Sequence, residues 1–252
     1  MIDRLVAHVL GLEIRLLACQ ARLNARTDPE ALHDLRTTIR RLRSLLRPLR
    51  GLPGAEQLEE AASRVGDLTT PLRDREVMAA YLLEHGQAEA GRRRMAQMAE
   101  AYPAVASSTE LSQLLIVLDA FPRFLRASQR QGLLKGLRQD IEKRLAKQWK
   151  KLDKALHDPA HDRHQLRLLI KRVRYGIDAY PELDRLPKKA MPRLKAAQGA
   201  LGDWHDCVQW LALAEHEADL QPCVAVWKAN MAKAETRSDR VLDKLSADCF
   251  KS

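Results

Sequence analysis

From position 33 to position 50 the chain reads HDLRTTIRRLRSLLRPLR. At about 100° per residue this stretch divides into two arcs. Leu35, Ile39, Leu42, Leu46 and Leu49 share one arc, and His33, Arg36, Arg40, Arg43, Arg47 and Arg50 share the other. The pattern predicts a helix that buries its leucine face and offers guanidinium groups about one turn apart over roughly 25 Å. Asp34 is its only acid. A helix that was merely soluble would mix Glu and Lys at i,i+4 spacing and neutralise itself locally, whereas this one is expected to leave its positive charge free.

The same periodicity predicts helices along the rest of the chain. Residues 3–26 read as an amphipathic helix, because Asp3, Arg4, Glu13 and Arg15 interrupt the apolar run before a signal segment or membrane span could form. Thr27-Asp28-Pro29-Glu30 supplies an N-cap followed by Pro at N1 for the basic-stripe helix, and Gly51, Pro53 and Gly54 end it. Further helices are expected at 55–68, from Pro71 through Leu83, and at 87–101, with a junction between halves at Tyr102-Pro103 and Ser107-Ser108. One long helix is expected from Phe121 or Phe124 to His157, stopped by Asp158-Pro159, and then helices at 162–180, 186–201, 203–217 and 221–248. Val and Ile are sparse, aromatic residues make up only 4%, and there is no Asn-Gly or Asp-Gly hairpin signal, so the fold class is all-α.

The second of these later helices' faces repeats the first. HQLRLLIKRVR aligns beneath HDLRTTIRRLR at a constant offset of 131 residues. His33 pairs with His164, Leu35 with Leu166, Arg36 with Arg167, Ile39 with Ile170, Arg40 with Lys171, Arg41 with Arg172 and Arg43 with Arg174. At almost the same offset, Leu72-Arg73-Asp74 stands against Trp204-His205-Asp206. Two copies at so long a period argue against a solenoid and for two similar helical halves, about 1–105 and 106–252, each a four-helix bundle. Core packing needs only the Leu/Ile pattern repeated. Recurrence of the His and cationic positions points instead to a binding role.

Charge narrows the partner. The chain carries 43 Lys+Arg against 33 Asp+Glu, a formal +10, and its pI is near 9.7, which favours a polyanion. Arginine suits phosphate, since its planar fork bonds two oxygens at once and stays charged. His33 and His164 fall in the first turns of their helices, where free N–H groups already favour an anion. Neighbouring arginines are expected to hold both neutral at pH 7, to donate one hydrogen bond to a phosphate oxygen and to become protonated as pH falls. A third positive stripe, Lys143, Lys147, Lys150 and Lys154 with Arg144 and Lys151 beside it, precedes the second histidine helix. The two helices are expected to pack antiparallel and line one surface together. Arg73 and Lys195 are further candidates, and Arg92-Arg93-Arg94 reads as a solvated run.

Other chemistries fit less well. Cys19, Cys207, Cys223 and Cys249 form no C-x-x-C pair and no zinc spacing, as expected for free thiols in a reducing cytoplasm. The dipeptides His33-Asp34, His157-Asp158, His161-Asp162 and His205-Asp206 evoke a helical metal-dependent phosphohydrolase. Their cationic surroundings would oppose a divalent metal, so no catalysis and no cofactor is expected. Nucleic acid is the alternative polyanion. No zinc finger, RNP-like strand or Gly-rich KH-type loop is present, and Trp149, Trp204, Trp210 and Trp227 are scattered as packing residues would be.

The doubled H-x-L-R-x-x-I-[RK]-R-[LV]-R, followed in each half by an acidic element (Leu72-Arg73-Asp74-Arg75-Glu76-Val77 and Leu201-Gly202-Asp203-Trp204-His205-Asp206), resembles the conserved-histidine α-helical domain, CHAD, over nearly the whole chain. The resemblance implies a single domain of two four-helix bundles related by a pseudo-twofold, with a basic channel between them. It also implies non-catalytic binding of inorganic polyphosphate, in a cytoplasmic protein that can associate with polyphosphate granules. Some members carry a CYTH triphosphatase domain, which does not fit within this sequence. By position, the basic lining would include His33, Arg36, Arg40, Arg43, His164, Arg167, Lys171 and Arg174, and Lys195 in Leu194-Lys195-Ala196-Ala197-Gln198 resembles the basic residue ahead of the second L-G-D element. The first half departs from the family's L-G turn, reading Leu68-Thr69-Thr70-Pro71.

Overall fold

A computed structural model describes residues 1–26, 28, 30–160 and 162–250, and every regular element among them is helical. The α-helices are α1 (Ile2–Ala25), α2 (Ala31–Leu46), α3 (Pro53–Glu84), α4 (Ala88–Met98), α5 (Ala101–Ala106), α6 (Thr109–Arg130), α7 (Leu137–Leu156), α8 (Arg163–Ala179), α9 (Ala190–Ala214) and α10 (Val224–Cys249). Short 3-10 turns at Arg47–Leu49, Pro181–Leu183 and Ala218–Cys223 follow α2, α8 and α9. The chain divides into two compact units, Met1–Ile141 and Glu142–Ser252.

In the first unit α1 packs on α2 and α6, and α3 packs on the same two helices, so four helices close a ring. The α4 helix lies along α3, and α5 along α1. Leu5, Val9, Leu12, Leu16 and Leu23 of α1 and Leu32, Leu35, Ile39 and Leu42 of α2 fill the interior at helical spacing. Because α6 buries Leu111, Leu114, Leu118, Phe121 and Leu125 and packs on α1 and α3, it belongs to this unit. The division therefore falls within α7, later than the junction expected near residue 105.

The second unit stacks α8 on α9 and α9 along α10. Leu152 of α7 joins Leu166, Ile170, Val173, Leu194, Leu201, Leu242 and Leu245 in its core. Gly176 lets α7 approach: a Cβ there would stand 2.9 Å from Leu145 Cδ2.

Three expected boundaries moved, and a fourth falls partly outside the described residues. The helices expected at 55–68 and 71–83 are one helix, α3, with Pro71 inside it. Proline removes one backbone donor, and side-chain hydroxyls bond to carbonyls just ahead of it: Thr69 Oγ1 donates to Val65 O at 2.7 Å and Thr70 Oγ1 to Gly66 O at 2.8 Å. The long helix expected from 121 to 157 is instead two, α6 and α7. Gly132 and Gly136 adopt φ of +75° and +79°, and the Leu133 N–H returns to Ser128 O at 3.0 Å, which closes α6. Gly199 and Gly202 do not break α9, so the expected 186–201 and 203–217 helices are continuous, because Ala197, Ala200 and Leu201 are fully buried and anchor it. Of the N-cap expected for α2, Thr27 and Pro29 lie outside the described residues. The helix starts at Ala31 after Glu30, whose N–H donates to Asp28 Oδ1 at 2.9 Å.

Candidate functional site

In the first unit the basic face of α2 lies against α3. Arg36 Nη1 donates to Gly66 O at 3.1 Å and to Thr69 Oγ1 and Thr70 Oγ1, both at 3.0 Å, just before Pro71. Burial lowers the Arg36 pKa, the Asp74 carboxylate opposes that, and Arg40 and Arg73 add to it by repulsion. Arg40 Nη2 donates to Thr37 Oγ1 at 3.3 Å, and His33 Nε2 lies 3.5 Å from the same hydroxyl. Farther along, Arg43 and Arg50 reach Glu59 of α3 at 3.3 and 3.6 Å. Asp34 turns away from the stripe and pairs with Arg22 of α1 at 2.7 Å. The stripe is thus not left unopposed, as the α2 sequence alone suggested. Its counter-charge comes from a helix that no wheel of α2 contains.

Arg73 is also engaged. Its Nη1 donates to Glu76 Oε2 at 2.7 Å, and the Tyr102 hydroxyl donates to Glu76 Oε1 at 2.7 Å, on a carboxylate only 6% exposed. Arg47 is half-buried at the start of the 3-10 turn. Arg41 is exposed and lies off the stripe, where it lines an α1–α2 cavity with Arg15, Arg22 and Asp34.

In the second unit α8 and α9 bring a cluster together. His164 is the second residue of α8, and its N–H donates to the N-cap Asp162 Oδ1 at 2.8 Å. Its ring lies 5.4 Å, centroid to centroid, from that of His205 on α9. Burial, then the positive charges of Arg167, His164 and Lys171, lower the His205 pKa to about 4. Burial likewise lowers the Arg167 pKa, opposed by the Asp206 carboxylate. Arg174 is held at the edge: its Nε donates to Gln198 Oε1 at 2.7 Å, its Nη1 to Asp178 Oδ2 at 3.3 Å, and its guanidinium lies 4.3 Å over the Tyr175 ring. Lys195 is exposed on α9, and Arg172 is exposed about 100° around α8 from Lys171.

The lysine stripe does not share this surface. α7 turns Leu145, Gln148, Trp149 and Leu152 toward α8, and Lys143, Lys147, Lys150 and Lys154 project from the opposite arc into solvent. The expectation that α7 and α8 would line one surface together is therefore overturned, because the apolar arc of α7 claims the contact.

The CHAD domain family model matches residues 9–215. This chain belongs to the CHAD family. A crystal structure of the CHAD domain from the plant Ricinus communis is similar in fold, with a TM-score of 0.64 and 21% identity, covering 98% of this chain and 91% of that one. No curated protein sequence matches.

Two residues of the CHAD cluster were missed as site residues in the sequence. His205 and Asp206 stood in the repeat against Arg73 and Asp74, but a His-Asp dipeptide reads first as a metal-ligand pair. The structure gives them another setting. His205 faces a second histidine, and Asp206 sits by Arg167 as Asp74 sits by Arg36. His157, in another such dipeptide, binds back to its own helix through Nδ1 and Asp153 O at 2.9 Å. His161 lies outside the described residues. Among the described residues no group of three or more His, Cys, Asp or Glu is placed to hold a metal ion.

Proposed function

We propose that this CHAD protein binds inorganic polyphosphate, or a closely similar phosphate-rich polyanion, and catalyses no reaction on it. The observation that carries the proposal is the convergence of His164, Arg167 and Lys171 of α8 with His205 of α9. Burial first, and then repulsion from Arg167, His164 and Lys171, lower the His205 pKa to about 4. The repulsive part of that shift is the field of converging cations, and the same field favours a negative ligand. His33, Arg36 and Arg40 supply a comparable face on α2, and family membership adds weight, since CHAD resemblance implies polyphosphate binding. A cytoplasmic protein able to gather at polyphosphate granules fits this function.

Titration with long-chain polyphosphate, ATP and single-stranded DNA at two salt concentrations tests it. Polyphosphate should bind most tightly, because a long polymer engages many cations where ATP engages few, and affinity should fall steeply with salt as counterions are released. Tighter binding to DNA would make nucleic acid the partner. Release of orthophosphate over time would restore the hydrolase alternative.

A further inference from the structure

α1 and α2 enclose a cavity of about 350 Å³ on a flank of α2 that lies off the basic stripe. Its lining is Arg15, Cys19 and Arg22 of α1 with Asp34, Thr37 and Arg41 of α2, completed by two small neighbours, Ala18 and Thr38. Arg22 pairs with Asp28 and Asp34, at 2.7 Å to each, which leaves that trio one net negative charge for Arg15 and Arg41 to outweigh. Arg15 and Arg41 have no ion-pair partner among the described residues, and both are exposed. Two uncompensated guanidinium groups therefore border a recess large enough for a small anion.

The recess also connects with the stripe. Thr37 is in its wall, and the Thr37 hydroxyl accepts from Arg40 at 3.3 Å and lies 3.5 Å from His33. An anionic chain lying along His33 and Arg40 has only to cross Thr37 to reach Arg41. Arg36, by contrast, spends Nη1 on three acceptors of α3, and Arg43 and Arg50 share Glu59. The exposed cations Arg15 and Arg41 carry the surface of His33 and Arg40 on into the α1–α2 recess.

We propose that the α1–α2 recess is a phosphate subsite, in which Arg15 and Arg41 grip a phosphate group of the same polyanion that His33 and Arg40 engage. The proposal rests on polyphosphate binding as the function of the α2 face. The recess would take one singly charged interior phosphate, or the end of a short chain, with the two guanidinium forks donating to its oxygens.

The test uses the whole protein and the variants Arg15→Gln, Arg41→Gln, the double variant and Arg40→Gln, each checked for an unchanged far-UV spectrum and melting temperature. Affinity for long-chain polyphosphate should fall about tenfold in the double variant, with a shallower salt dependence from the two lost phosphate contacts. Tripolyphosphate should shift the backbone amide resonances of Ala18 and Thr37 in the wild type, and the Ala18 shift should vanish in the double variant. If Arg40→Gln weakens binding and the double variant binds as the wild type does, polyphosphate binding stands and the subsite is refuted. If the wild type binds no polyphosphate, the function itself fails. Should a variant unfold, Arg41→Lys keeps the charge while losing the fork, and wild-type affinity together with an unmoved Ala18 amide in the titration of wild-type protein would refute the subsite without it.

Discussion

His205, in the α8–α9 cluster, is held neutral in the folded chain. Its ordinary value is 6.5, and burial with three positive neighbours lowers it to about 4. The unfolded chain therefore binds an extra proton between those values. The neutral ring's contribution to stability is fully present above about 6.5 and is lost as pH falls toward 4. A bound polyanion supplies the opposite field, so the His205 pKa should rise on binding, and binding should take up protons and tighten over the same window. Ring resonances of His205 followed by NMR through pH 4 to 7, with and without polyphosphate, check this. An unchanged titration midpoint would remove His205 from the ligand's surroundings. To the candidates His33 and His164 the structure adds His205, a residue whose place in the repeat was visible and whose burial was not.

Glu76 is the other residue whose setting yields a number. It is almost fully buried and shared between Arg73 and Tyr102. Tyr102→Phe leaves one carboxylate oxygen without its hydroxyl donor, and denaturant unfolding should show a loss of about 1–2 kcal/mol. A change near zero would mean that water replaces the hydroxyl.

Among the elements, α3 is the most informative departure from the sequence. Pro71 marked a break, yet α3 runs through it, flanked by α2, α4 and α6. Packing on three sides outweighs a local preference worth about 3 kcal/mol. Pro71→Ala should restore a backbone donor at an exposed position and raise stability by about 1–2 kcal/mol in thermal or denaturant unfolding. A lower stability would mean that the proline itself is needed for the Arg36 contacts. Gly91 makes the contrary case. A Cβ there would stand 2.7 Å from Leu83 Cγ and 3.0 Å from Ala79 O, so Gly91→Ala should cost about 1–3 kcal/mol by pushing α4 away from α3. Periodic leucines showed where helices lie. Glycine and proline did not show where they end: Gly132 and Gly136 break a helix, whereas Gly199, Gly202 and Pro71 do not. The difference lies in tertiary burial, which single-helix patterns do not carry.

At the scale of the molecule, the all-α class, the family and the two cation-bearing helices were readable from the chain, because they depend on composition and on repeated residue types. The balance of charge on each face was not. Glu59 and Glu76 quench Arg43, Arg50 and Arg73 from α3, and the apolar arc of α7 carries Lys143, Lys147 and Lys150 away from α8. The cations brought closest together in each unit are His33, Arg36 and Arg40 in one, and His164, Arg167, Lys171 and His205 in the other. The central claim, that of the proposed function, is that each of these surfaces contributes to binding polyphosphate. Its most direct measurement is the affinity for long-chain polyphosphate of the double charge reversal Arg40→Glu and Lys171→Glu, made with the helical content and melting temperature monitored. The account predicts that binding is lost while the fold persists, and binding retained by an intact double variant would contradict it.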